Sequence, residues 1–413
     1  MARTTKASYA VLAAVTLAHF LNHVYTGALS PFLPLIQTDL NLNYTEVGII
    51  TSAVVLAMTI SHFVVGHLGD RGSNWRDAFI STSILLSALA MILVSYSSSF
   101  LFLAIFQFFL GIGASGYHPS VFPALAEKFP QRNLAKATGV QAMGGLIGMA
   151  VIPFLGVTLL IVLNDWRLSL VALGVMGLAI FIPFIILMRY SRSGYSKGFI
   201  DAEDECKGTD GWTKGYWLGL TLMGLRGMSF RCTSLLMPLY LEATYPVDLV
   251  QAGYLTTIML SAGLVGEMIA GPLSDRLNRR VVFLVLSTGL ATPALLLLNY
   301  SLSIEILIMM LIIIGFFFYL GVPPNTAYLT EISPRKNRGL AFGLLFSVGA
   351  LPGALSPIIF GWIGDLWGLQ ASILFLVVTT ILATLVALFM KDSETTAAVG
   401  ELHVFLDAPP TLE

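Results

Sequence analysis

Charge is what this sequence has least of. Only 11% of its 413 residues are Asp, Glu, Lys or Arg, against 56% hydrophobic ones. A soluble domain carries roughly 25% charged residues, so this chain has too few to coat a water-facing surface. The net charge of −1 says little, because in so apolar a chain the distribution of charge matters more than its sum. Cysteine is scarcer still. Cys206 falls in a polar stretch and Cys232 in an apolar one, which excludes a disulfide and a cysteine-based metal site. Also missing are paired catalytic carboxylates, a nucleophile beside a base, a phosphate-binding loop and a nucleic-acid-binding surface. No enzyme activity, no cofactor and no metal are therefore expected.

Long hydrophobic runs are what is present, interspersed with 38 Gly and 18 Pro. Helices in a bilayer tolerate both residues better than soluble helices do, because neighbouring helices re-satisfy the freed backbone groups. A transmembrane barrel would show short alternating strands instead. A helix needs about 20 mostly apolar residues to cross the hydrocarbon. Such runs occur near 8–35, 46–69, 78–97, 100–127, 138–163, 168–189, 215–243, 249–274, 281–300, 303–331, 339–364 and 369–390. They are numbered here as spans 1 to 12. The first is too long for a signal-peptide core and is expected to be retained.

Positive charge sets an expected orientation. All but three of the 22 Lys and Arg residues lie at the amino terminus or in alternate connections, and the three exceptions are Arg167, Arg226 and Arg231. By the positive-inside rule both termini are expected to be cytoplasmic, in a multi-pass protein of the plasma (inner) membrane.

The chain also repeats itself. "GHLGDRGSNWR" at residue 66 returns as "GPLSDRLNRR" at 271. Gly111, Pro119, Glu127, Pro130, Asn133, Ala137, Gly139 and Pro153 return 204 residues later as Gly315, Pro323, Glu331, Pro334, Asn337, Ala341, Gly343 and Pro357. An ordered series at one offset implies two homologous halves. The expected organisation is an all-α protein of twelve transmembrane helices, with six-helix bundles at 1–190 and 215–390. A polar cytoplasmic linker (191–214) joins them, and a cytoplasmic tail (391–413) is expected to be disordered.

Two halves of six spans, each with a G-x-L-x-D-R loop after its second span, resemble the major facilitator superfamily of transporters. The loop residues are Gly66, Asp70, Arg71 and Arg76 in the first half, and Gly271, Asp275, Arg276 and Arg280 in the second. The resemblance implies two bundles that rock about a central site, with these loops acting as gates away from the solute. The span 4 run "GASGYHP" and the "MPLYL" that follows Arg226 are nearest to the fosmidomycin-resistance branch, whose members expel a phosphonate antibiotic. Two departures count against a generic multidrug antiporter: Gln107 stands where an Arg is usual, and the span 5 glycine motif is incomplete at Met149.

The site candidates are polar groups inside apolar runs. His19, Asn22 and His23 share one face of span 1, since residues three and four apart are neighbours on a helix. Span 4 adds Tyr117 and His118, just before Pro119. Span 7 carries Arg226, which aligns with Asn22 at the 204 offset and is expected to attract an anion. Arg231 lies five residues on, about 140° around a regular helix. It either pairs structurally or, if the helix is broken, faces the same cavity. Glu267 in span 8 is placed to serve as counter-ion to Arg226, as proton carrier, or as both alternately, and His23 is a second proton candidate.

The function expected is secondary transport of a small organic, anionic solute, as proton-coupled efflux by a monomer. Proton-linked or facilitated uptake of a carboxylate is the alternative, and a non-transporting membrane sensor or scaffold is the alternative of another class. The partners expected are the solute, protons and the lipid bilayer.

Overall fold

A computed structural model describes residues 6–69, 71–192, 209, 211–334, 341 and 344–392. Helix occupies every expected span. Among the described residues, nine stretches are long and apolar enough to cross a membrane, from Lys6–Asp39 to Leu369–Leu388. The other three expected spans are helical as well. Lys214–Thr244 carries the two arginines, Val281–Leu297 is shorter, and Leu351–Trp367 has 17 residues. Most of the proposed linker and tail, and Asp70 of the first loop, lie outside the described residues.

Two spans break beside a proline. Span 4 is helical over Phe100–Ala114 and again over His118–Lys128, with Pro119 near the start of the second segment. Span 10 repeats this as Ile304–Leu320 and Val322–Ile332, with Pro323 in the matching place. Proline lacks the N–H that would continue the ladder, and its ring clashes with the turn before it. Span 7, in contrast, is one continuous helix.

Packing divides the chain into two units. The first comprises Met1–Asp204, Arg231–Thr257 and Ala354–Ser372, and the second comprises Glu205–Phe230, Ile258–Gly353 and Ile373–Glu413. In the first unit span 1 packs on span 5, span 2 on span 4 and span 3 on span 6. The second unit holds the counterparts: Gly224 and Gly227 of span 7 meet Pro352 and Gly353, Gly266 of span 8 meets Phe316, and Thr384 of span 12 donates to Thr288 of span 9 at 2.8 Å.

Close approach of these helices rests on glycine. A Cβ at Gly111 would collide with the carbonyl of Val54, and one at Gly315 with the carbonyl of Met259. With no side chain in the way, backbones approach closely, which suits helices that gain little from the hydrophobic effect inside lipid. Large apolar side chains such as Phe102, Phe108 and Phe109 stay exposed on the outside of the unit.

The first unit also ties the ends of spans 2 and 11 together. The Asp365 carboxylate accepts from the backbone N–H of Tyr44 and Thr45 at 2.8 Å each, and from Thr45 Oγ1 at 2.5 Å. It caps the first turn of the Tyr44–Gly69 helix, where orphan N–H groups and the helix dipole favour a negative charge.

Candidate functional site

The first unit gathers histidine. His19 and His23 of span 1 stand with ring centroids 4.9 Å apart, and His118 of span 4 lies 5.2 Å from His19 and 6.0 Å from His23. His62 of span 2 joins at 5.8 Å from His118. Four of the six histidines in the chain thus share one spot inside the bundle. The donor nitrogens of His19, His23 and His118 all lie within 4.8 Å of one another. His19 is buried, whereas His23 and His118 are half-buried. Arg231 lies close enough to act electrostatically on both His23 and His118. The arginine therefore belongs with the histidine face of its own unit, although span 7 is unbroken.

Gln141 of span 5 locks this cluster. Its backbone oxygen and its side-chain nitrogen each lie 2.9 Å from His19 Nδ1, and the same Nε2 donates to the Tyr117 hydroxyl at 2.5 Å. Tyr117 in turn donates to the Val15 carbonyl at 2.8 Å, and its ring stacks on His19. Asn22 Nδ2 donates to the Ala114 carbonyl at 2.8 Å, at the end of the first segment of span 4. Both of these candidate ligands thus direct hydrogen-bonding atoms at the backbone.

The second unit holds Arg226, buried to 7% exposure. Its Nη2 donates to the carbonyl of Phe318, and its guanidinium sits 5.6 Å from the centre of the Phe230 ring. Its Nε has no hydrogen-bond partner. Glu267 and Tyr319 are within electrostatic reach. Arg226 and Glu267 nevertheless form no ion pair of 4.0 Å or less, so the carboxyl is near but not spent.

The repeat is visible in these contacts. Asn22 donates to the oxygen of residue 114, and 204 residues later Arg226 donates to the oxygen of residue 318. The loops behave alike. Arg76 pairs with Glu127, and Arg280 lies 3.5 Å from Glu331 and 2.5 Å from Asp275. Arg71 and Arg276 are exposed, while Gly66 and Gly271 face Pro119 and Pro323 respectively. In the sequence Glu127 and Glu331 stand out only as repeated residues. Their equal offset from Arg76 and Arg280 was the signal that could have paired them. His62 is marked in the sequence by its alignment with Glu267 in the repeat, whereas Gln141 carries no signal beyond being polar in an apolar span.

The Major Facilitator Superfamily model matches residues 15–220 and again 219–404. The chain belongs to that superfamily. Among curated superfamily relatives, a probable sulfoacetate transporter of Cupriavidus necator is 23% identical, over 88% of this chain and 89% of its own. The cis,cis-muconate transport protein of Acinetobacter baylyi is 25% identical over 89% of this chain and 90% of its own. The fosmidomycin resistance protein of Escherichia coli is 25% identical over 87% and 88% respectively, so the branch suggested by span 4 is among the relatives. A bacterial homologue of the human lysosomal transporter Spinster, solved inward-facing and unoccupied, shares the fold. Its TM-score is 0.79 at 16% identity, over 93% of this chain and 97% of that one. The chain is thus a multi-pass membrane transporter of the superfamily and not an enzyme.

Proposed function

We propose that this transporter exports a small organic anion in exchange for protons, by alternating access, as a monomer with both termini on the cytoplasmic side of the plasma membrane. One observation carries the reading: span 7 sets one arginine in each packing unit, each beside titratable groups. Arg226 has Glu267 in reach and Arg231 has the histidine cluster. A guanidinium stays charged even when buried, so it draws an anion out of water where lipid-facing surroundings would repel one. An ionisable carboxyl or imidazole beside it takes up the proton that the exchange requires.

In this proposal Arg226 is the principal anion contact in the second unit, and Arg231, His19, His23 and His118 are the solute contacts of the first unit. Asn22 and Tyr117 hold spans 1, 4 and 5 in register beneath it, because their hydrogen bonds run to backbone carbonyls. Glu267 or His23 carries the coupling proton. The loop pairs Arg76 with Glu127 and Arg280 with Glu331 act as gates. Sulfoacetate and muconate, the solutes in two relatives' names, are organic anions, which supports the class of solute.

A second reading, proton-linked uptake of a carboxylate, draws support from the muconate relative and from Gln107, buried where antiporters of this kind carry arginine. Proteoliposomes loaded with labelled sulfoacetate or muconate, under imposed pH gradients of either sign, separate the two. Export predicts solute efflux driven by an inward proton gradient. Accumulation under that same gradient would replace export by uptake, and no proton-dependent flux of any carboxylate, sulfonate or phosphonate in a screened panel would end the anion reading.

A further inference from the structure

We propose that His19, His23 and His118 bind one divalent transition-metal cation of the zinc class, leaving a fourth position open to an anion. Three imidazole nitrogens, two from one helix and one from another, are a common donor set for Zn²⁺ with one open position. Zn–N bonds are about 2.0–2.1 Å, so with donor atoms already within 4.8 Å of one another each ring need move inward by less than about 1 Å. The rings have that freedom at the half-buried His23 and His118.

Two independent observations point to a ligand at this place. His19 Nε2 is buried and has no hydrogen-bond partner, so its bonding capacity is directed at nothing else described in the protein. The other ring nitrogen is already held: Nδ1 lies 2.9 Å from the Gln141 carbonyl. Gln141 Nε2 also lies 2.9 Å from Nδ1; in the tautomer whose Nδ1–H donates to the Gln141 carbonyl, the Nε2 lone pair is left bare for a metal, as metal-ligating histidines are usually arranged. Gly145 supplies the room. A Cβ there would come within 2.5 Å of His19 Cε1 and Nε2 and within 2.7 Å of His23 Cδ2. Any side chain at 145 pushes both rings out of place.

Charge explains the fourth position. Neutral imidazoles leave the cation's two charges uncompensated, and Arg231 beside His23 and His118 adds another. In a site shielded from water that excess selects an anion as the last ligand. This anion clause rests on the proposed function, while the three-histidine seat does not. With metal bound, His23 cannot also shuttle protons, and coupling falls to Glu267.

The test uses the full-length protein in detergent, with any affinity tag removed, titrated with Co²⁺ alone as a spectroscopic substitute for Zn²⁺. One equivalent should produce the intense visible bands of four-coordinate cobalt, displaced by Zn²⁺. His23→Gln and His118→Gln should abolish them. His62→Gln, outside the triad, should leave them unchanged, which controls for folding alongside size-exclusion profiles. Absence of stoichiometric bands in folded wild-type protein, or bands that survive His118→Gln, would overturn the metal site. Anion flux measured with a chelator present is read separately: flux without cobalt bands leaves the transport reading standing and removes only the metal.

Discussion

The two repeats solve one packing problem with different chemistry. In the first, a neutral amide at Asn22 reaches the carbonyl of Ala114; in the second, the guanidinium of Arg226 reaches the carbonyl of Phe318. Around them the difference widens. His19, His23 and His118 correspond at the 204 offset to Met223, Gly227 and Val322, so the histidine cluster has no counterpart in the second half. Glu267, in turn, aligns next to His62 and supplies a carboxyl that the first half lacks. The scaffold is duplicated, whereas proton acceptors and fixed charge are divided between the copies.

The sharpest way to break this comparison is to make the halves alike. Arg226→Gln keeps a hydrogen bond to the Phe318 carbonyl, as Asn22 makes in the first half, but removes the charge. Transport of an anionic solute should fall below detection in proteoliposomes while the protein still elutes as a folded species; retained flux would mean that the guanidinium is not the anion contact. Next come the two loop ion pairs. Glu331→Gln leaves Arg280, only 6% exposed, with the exposed Asp275 carboxylate still beside it, so the cost should be about 2 kcal/mol, below that of a buried charge left with no partner. The same change at Glu127, whose pair is more exposed, should cost about 1 kcal/mol, so thermal unfolding should rank the two loops in that order. Equal costs would show that burial does not distinguish the pairs.

A smaller effect is expected at the opposite ends of the helices. Asp365→Asn weakens the cap on the Tyr44–Gly69 helix and should cost about 1 kcal/mol, read as a lower melting temperature. The smallest belongs to His62. Its Nε2 is buried without a partner, so His62→Gln should change stability by less than about 0.5 kcal/mol and leave solute flux as it was. A large loss of flux would move His62 into the solute site.

Much of the fold was legible because its signals run along one dimension. Apolar length and an ordered repeat each survive without knowledge of contacts, and Pro119 stands at the break in span 4. The site was legible in part. The spacing of His19, Asn22 and His23 placed them on one face, and His118 does meet two of them. What the sequence hid depends on partners brought from elsewhere. The Phe318 carbonyl is backbone and has no residue signature, Gln141 acquires meaning only beside His19, and Arg231 meets the histidines through packing that helix angles do not encode. Three histidines split between spans 1 and 4 have no metal-ligand spacing along the chain, so their meeting depends on the packing of the two spans.

The break in span 4 leaves a short second segment. The segment His118–Lys128 has 11 residues, about 16 Å at 1.5 Å per residue, and is separated from Phe100–Ala114 by a short non-helical joint. It carries His118 at one end and Glu127 near the other, where Arg76 grips it. One helical segment thus connects the loop's ion pair with the histidine cluster, whereas its counterpart, Val322–Ile332, carries a carboxylate at Glu331 but no imidazole.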